Sequence, residues 1–332
     1  MMKEFVFTSS MKDILNMFIQ QKRAFGHVYH TSGYTLKYFD TMLSEQFPDA
    51  NTVTKEICKA WIEHNSHLHP NTQIHYMDPI RELTKYMAGL GYEVYIIPNN
   101  VLGNFIKYEA HIFTEEEIKA FFAAVDSWKK SDTCKNTPHD LKWLVAPVIF
   151  RLLYTSGLRQ QEVRMIKCSD VNLKTGRIRI CESKGWKERI IFVRDDMLEL
   201  LCRSNKMIET ISPNREYFFV NSRGTGIGRA TLGNWFHQFW DNLPAAKQVK
   251  GNPPRIHDFR HTFAVHKINE WVKNGENVEA LMPYLSEYMG HTHFYSTDYY
   301  LQLSEDFYPE FNKRMHEVNK KIISEVSENE DR

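Results

Sequence analysis

Arg255-Ile256-His257-Asp258-Phe259-Arg260-His261-Thr262-Phe263-Ala264 puts His257, Arg260 and His261 at i, i+3 and i+4. On a helix those three share a face, and Phe259, Phe263 and Ala264 form the apolar face opposite. Asp258 suits the first turn, where a carboxylate meets the positive end of the helix dipole. An arginine between two histidines on a buried wall is built to hold an anion. Its guanidinium is always charged and grips a phosphate or carboxylate with two parallel hydrogen bonds. Taken alone, the stretch is also compatible with a surface helix carrying scattered basic residues. Three further pieces tip the balance: Arg159 lies just past Gly157, Lys184 sits in the turn Ser183-Lys184-Gly185-Trp186, and His291 follows Gly290 and precedes Tyr300 by nine positions. Each has a plain reading by itself. Arg159 is then a surface cation at a helix end, Lys184 a solvated turn lysine, and Tyr300 a core aromatic.

The elements that must carry these residues are mainly helical, with a small antiparallel β-sheet, an α+β arrangement. Residues 1 to about 105 read as a helical unit. Ser9 or Ser10 can cap a helix to about Phe25, a second follows Thr31 and Ser32, and a third follows Thr54. A fourth carries Ile80, Leu83, Tyr86 and Met87, with Pro79 as its start or its kink. Lys22, Arg23, Lys37 and Lys85 lie on or between these helices and suit either a polyanion or water. Tyr95 to Lys107 reads as an extended linker, broken at Pro98-Asn99-Asn100.

A second domain opens at Thr114, which forms a capping box with Glu117. An apolar helix from about Asp140 to Ser156 ends at Gly157, a left-handed cap. Val171 to Gly176 has turn chemistry, Arg177 to Cys181 alternates as a strand, and Glu188 to Val193 is the return strand, with a lysine at the hairpin tip. The remainder is helical, apart from a short buried strand at Phe218-Phe219-Val220. Helices are expected over Thr231 to Asn242 and Val278 to Met289, with a last segment holding Tyr295, Tyr299, Tyr300 and Leu301. Residues 106–303 form this second domain and 304–332 a charged tail.

At 332 residues, 42% of them hydrophobic, the chain suffices for two domains with real cores. No apolar run approaches the roughly 20 residues of a membrane span, and no signal-peptide pattern opens the chain. A cytoplasmic protein is expected, in keeping with five scattered cysteines and no CxxC pair. A net charge of +1 does not by itself suggest nucleic acid. The signs separate, however: Lys184 to Arg194 is basic and Glu325 to Asp331 acidic.

Read together, the pieces resemble the tyrosine recombinase, or phage integrase, family. Thr155-Ser156-Gly157-Leu158-Arg159-Gln160-Gln161-Glu162-Val163 resembles its first-arginine box. Lys184-Gly185-Trp186-Lys187-Glu188-Arg189 is similar to its β-hairpin lysine segment, His257-Asp258-Phe259-Arg260-His261 to its HxxR box, and Met289-Gly290-His291 through Tyr300 to its terminal segment. The boxes stand in the family's order over about residues 110 to 303, and the N-terminal helices resemble its core-binding domain. The stretch from Arg260 to His291 is several residues longer than in compact members.

The resemblance implies site-specific cleavage and rejoining of duplex DNA through a 3′-phosphotyrosyl link, with neither cofactor nor metal. It makes Tyr300 the nucleophile, with Tyr299 the neighbour to distinguish from it by spacing. Arg159 and Arg260 become the phosphate stabilisers and Lys184 the general acid, with Lys187 as its rival. His257 becomes the acid/base group and His291 a hydrogen-bond donor to the phosphate. Glu162 then braces the Arg159 loop, and His261 packs or braces. The implied partners are double-stranded DNA gripped in a C-shaped clamp, further copies of the chain in a tetramer on two DNA sites, and accessory DNA-bending proteins where the site requires them. Binding should then weaken steeply with salt. Phe307, Phe311 and Ile322 in the tail are candidates for docking on a neighbouring subunit. Other classes remain: a DNA-binding regulator with this fold and no cutting activity, a type IB topoisomerase, and a zinc enzyme using His257, His261, His291 and His293.

Overall fold

The structure is a computed structural model and describes residues 4–99, 101–106, 108–128, 141–181, 188–249, 251–291, 293 and 295–304. It divides into two compact units, Met1–Tyr108 and Glu109–Arg332.

The first unit contains α1 (Lys12–Ala24), α2 (His30–Gln46), α3 (Lys55–His64) and α4 (Pro70–Gly89). Their apolar stripes meet in a core that includes Leu15, Phe18, Leu36, Phe39, Trp61, Ile80 and Leu83. Thr54 caps α3 by accepting the Ile57 N–H at 3.4 Å. Two helix starts differ from the sequence reading. α2 begins before Thr31, behind Tyr29 in a left-handed conformation. α4 begins at Pro70, where the missing N–H costs nothing, and Pro79 is buried inside it. The polar run before Ile80 hides those first turns, because apolar periodicity is the signal that marks a helix. Lys22 pairs with Glu82 at 3.3 Å and Lys37 with Asp40 at 3.2 Å, so two of the basic residues are engaged within the bundle. The start of the linker belongs here too: Tyr95 donates to the Val53 carbonyl at 2.9 Å, and Ile97 is buried.

In the second unit α5 (Glu115–Asp126) carries the expected capping box, with Glu117 N–H to Thr114 Oγ1 at 3.2 Å and Thr114 N–H to Glu117 Oε2 at 2.9 Å. α6 (Lys142–Ser156) is buried along most of its length and leads through Gly157 to the short α7 (Gln160–Arg164). Strands β1 (Val171–Asn172), β2 (Arg177–Ile180) and β3 (Arg189–Phe192) form an antiparallel sheet in that order, with Ile178 opposite Ile191. The sheet therefore has one strand more than the hairpin expected, because Val171 and Asn172 pair with Ile178 and Arg177 before the turn. α8 (Asp195–Ile211) packs on α6, where Ser204 Oγ donates to the Leu144 carbonyl at 3.2 Å. Phe218 to Val220 is buried but forms an isolated bridge at Val220, not a strand.

The chain then runs through α9 (Arg229–Trp240), α10 (Asp258–Lys273), α11 (Val278–Met289) and α12 (Tyr295–Leu303). α10 is seated by Phe259, whose ring lies 4.9 Å from Phe113, 5.2 Å from Phe121 and 5.8 Å from Phe236. Thr262 Oγ1 adds an acceptor for the Phe113 N–H at 3.0 Å. Among the described residues no helix is long and apolar enough to cross a membrane.

Gly157 is fixed by two independent demands. Its φ is +58°, and a Cβ there would sit 2.4 Å from Phe263 Cδ1 on α10. Left-handed geometry costs a residue with a side chain roughly 1–2 kcal/mol, and displacing a packed ring adds ~1–3 kcal/mol. Gly157→Ala should therefore lower unfolding stability by roughly 2–4 kcal/mol, read as a shift of the urea midpoint at unchanged slope.

Candidate active site

Gly157 ends α6 and turns the chain so that Arg159 becomes the residue preceding α7. Glu162, one turn into α7, reaches back to accept the Arg159 backbone N–H at 2.8 Å and its Nη1 at 2.8 Å. The same carboxylate takes both terminal nitrogens of Arg189 from β3, at 2.9 and 2.8 Å. Glu162 is buried. Burial by itself would raise its carboxyl, but hydrogen bonds and charge from Arg189, then Arg159, outweigh that and hold it down at about 2.

The end of α11 gathers the arginines. Gly290 caps it at φ +66°, leaving the last carbonyls of the helix without helical partners. Three arginines from three elements supply them: Arg189 Nε donates to the Tyr288 carbonyl at 2.8 Å, Arg260 Nη2 to Met289 at 2.7 Å and Arg159 Nη2 to Gly290 at 2.9 Å. Arg260 donates with its other fork, Nη1, to the Gly157 carbonyl at 2.7 Å, so it bridges two helix ends. The side chain of Arg260 is almost wholly buried, and burial lowers its pKa to about 10, which still leaves it charged at neutral pH. Negative helix ends favour cations, and carbonyl clamps fix each guanidinium in advance. Three guanidinium charges against the single Glu162 carboxylate leave this cluster with two positive charges.

The histidines and the tyrosine close round this cluster. The rings of His257 and His261 lie 4.9 Å apart, His261 lies 5.5 Å from Tyr300, and His291 stacks on Tyr300 at 5.9 Å. His291 Nδ1 is 2.6 Å from Thr297 Oγ1 on α12. Burial first, then the arginines, push His257 down to about 4 and His291 to about 3. His261 falls to about 3 through burial and the neighbouring His257. His257 nonetheless remains exposed to solvent. Burial also raises the Tyr300 phenol, while Arg260 and then Arg159 draw it back down. At neutral pH the imidazoles are thus uncharged and able to accept a proton, and the phenol is protonated beside two cations.

These shifts fix a pH dependence. A histidine depressed in the folded protein contributes stability that is complete above its unfolded value near 6.5 and is lost as pH falls through about 4 and 3. Glu162 acts in the same direction, its contribution vanishing as pH falls toward about 2. With solvent screening of the partly exposed rings, going from pH 7.5 to 5 should cost on the order of 2 kcal/mol, measured by urea unfolding at the two pH values.

Of the six residues singled out in the sequence, Arg159, His257, Arg260, His291 and Tyr300 converge here. Lys184, with its rival Lys187, lies outside the described residues, as do Phe307, Phe311 and Ile322. Among the described residues no group of three or more His, Cys, Asp or Glu is arranged to hold a metal ion. Tyr299 and Tyr300 differ in setting: the Tyr300 ring is buried and feels the Arg260 charge, whereas Tyr299 is partly exposed. Two members of the cluster escaped the sequence reading, Arg189 and Thr297. Strand alternation carried a signal for Arg189, which shares a face with the buried Ile191. A cation on the inward face of a strand must find a partner.

A helical domain that gathers a doubly positive pocket, uncharged histidines and a buried tyrosine at its helix ends has the equipment of a phosphoryl-handling domain. The model of the phage integrase family matches residues 111–306, more than half the chain, and the chain belongs to that family. Members of this tyrosine recombinase family are DNA breaking-rejoining enzymes that bind and recombine DNA. The protein y4rB of Sinorhizobium fredii, named as an integrase/recombinase, is 24% identical over 92% of this chain and 97% of its own length. The tyrosine recombinase XerD of Staphylococcus saprophyticus is 31% identical over 50% of this chain and 54% of its own length. In fold, a lambda integrase dimer bound to a COC′ core site superposes with a TM-score of 0.57 at 15% identity, covering 85% of this chain and 95% of that one.

Proposed function

We propose that this chain cleaves and rejoins duplex DNA at a specific site, with Tyr300 as the nucleophile. The phenol oxygen attacks phosphorus to form a 3′-phosphotyrosyl bond as the bond to the 5′ oxygen breaks. The phenol proton passes to His257, and Lys184 protonates the departing 5′ oxygen. A phosphodiester gains a second negative charge on its non-bridging oxygens in this step. Arg159 and Arg260 meet that charge, and His291 adds a hydrogen bond. A second 5′ hydroxyl reverses the step, so rejoining needs no external energy source.

One observation carries this reading: the buried Tyr300 phenol sits within the field of the Arg260 charge, and that guanidinium is already clamped between two helix ends. The donors therefore stand in place before charge develops, which is where electrostatic catalysis gains most. The DNA-bound dimer of a fold relative supports work in pairs. The proposed assembly extends this to a tetramer on two DNA sites, with residues 304–332 docking on a neighbouring copy and the unit 1–105 gripping DNA. The site of action is the cytoplasm.

The test is covalent trapping. Nicked duplexes tiled across the DNA flanking its gene are incubated with the protein in EDTA, denatured in SDS, and digested for mass spectrometry. A phosphotyrosyl peptide at residue 300 is the expected product. DNA binding without an adduct on any fragment would instead favour a regulator that does not cut.

A further inference from the structure

We propose that Arg189 is a positioning residue: it holds Glu162 and the end of α11 so that Arg159 keeps its outer edge for the phosphate. The inference rests on the function proposed above. Arg189 itself is spent on the protein. Both terminal nitrogens grip Glu162, at 2.9 and 2.8 Å, and Nε holds the Tyr288 carbonyl at 2.8 Å. Its side chain is only 7% exposed, so it is a poor candidate to touch DNA directly.

What it controls is the neighbouring guanidinium. A carboxylate prefers a two-pronged arginine. With Arg189 occupying both Glu162 oxygens, Arg159 makes one side-chain contact to that carboxylate, through Nη1, and sends Nη2 to Gly290. Without Arg189, Glu162 would be left with Arg159 as its buried counter-ion and would draw that fork round onto itself, away from the phosphate.

The contact also ties two distant parts of the chain. Arg189 opens β3, two positions beyond residue 187 and five beyond Lys184 in the sequence, and pairs across the sheet with Ile180. A slip of one residue would turn Arg189 to the outer face and release Glu162 and Tyr288 together. At the other end, a Cβ on Gly290 would come within 2.9 Å of Arg189 Nη1. Residue 290 must therefore lack a side chain for the guanidinium to pass, as well as for its left-handed turn. Through Tyr288 the same side chain steadies the helix end that leads to His291. The arginine cluster is thus complete only when β3 is in register.

Arg189→Lys separates geometry from charge, because it keeps the cation and loses the fork. On a nicked fragment cleaved by the unaltered chain, adduct formation should slow by about 10- to 100-fold. The same fragment is then made with a methylphosphonate at the scissile position, which removes one non-bridging negative charge. There the deficit should shrink to within about threefold, since a displaced Arg159 has less charge to meet. An equal deficit on both linkages overturns the proposal, as does no deficit on either.

Hydrogen exchange needs no DNA. The Gly290 and His291 amides should exchange about tenfold faster or more in the variant, and unchanged exchange also overturns the proposal. Absence of any adduct with the unaltered chain counts against the proposed function, and exchange still decides Arg189. Should Arg189→Lys fail to fold, Glu162→Gln supports the same two-linkage comparison, because it removes the charge that Arg189 grips.

Discussion

Tyr300→Phe is expected to form no SDS-stable adduct on a fragment that the unaltered chain cleaves, while binding that DNA within about threefold. The substitution removes one oxygen and keeps the ring, so the stacking on His291 at 5.9 Å and the contact with His261 at 5.5 Å survive. Folding should change little. The hydroxyl is the group that would become the bridging oxygen to phosphorus, and no other atom of that side chain can replace it. The loss should therefore be complete, not graded. Tyr299→Phe is the control: its partly exposed ring lies 5.9 Å from Tyr300, and its adduct yield should stay near that of the unaltered chain. An adduct surviving Tyr300→Phe and vanishing in Tyr299→Phe would transfer the nucleophile to the neighbouring residue and leave the rest of the chemistry standing.

Arg260→Ala carries the second largest expected effect, and two losses combine in it. Removing a preorganised donor from developing oxyanion charge typically costs about 10²–10³ in rate. The deletion also leaves the Gly157 and Met289 carbonyls without the donors they now have at 2.7 Å. An unsatisfied buried carbonyl costs roughly 1–3 kcal/mol, so stability should fall as well. Arg260→Lys keeps the charge but reaches at most one of the two helix ends, and should recover stability better than rate. Measured adduct rates within threefold of the unaltered chain, for either variant, would sink the role assigned to Arg260.

The two substitutions separate the chemistry from the scaffold. Tyr300→Phe should cost activity with almost no stability, while Gly157→Ala should cost stability through Phe263 and disturb the site only as far as the Gly157 carbonyl moves. Arg260→Ala falls between, because this one side chain both closes helix ends and faces the phosphate.

Much of this was written in local sequence. Thr114 with Glu117 announced a helix start, and Gly157 and Gly290 announced helix stops. The spacing of His257, Arg260 and His261 announced a shared face. Each signal works within one or two helical turns, where backbone geometry alone decides which side chains are neighbours. The start of α4 at Pro70 and the strand β1 were less legible, since the first is polar on its surface and the second has turn chemistry in its sequence. Order along the chain was also enough for the family resemblance, because that resemblance lies in boxes of adjacent residues.

What the sequence could not decide was how residues far apart in the chain meet. Arg159, Arg189 and Arg260 come from the residue before α7, a strand and the first turn of α10, yet they end on three successive carbonyls where α11 stops. The fork of Arg189 on Glu162, the burial of Tyr300 in preference to Tyr299, and the neutral state of the histidines all follow from that convergence. They depend on the desolvation and close charge that packing creates, and neither is a property of any short stretch of chain. The sequence by itself determined which chemical groups are present and where each helix ends; the tertiary structure decided which of those ends meet, and so which groups share one charge.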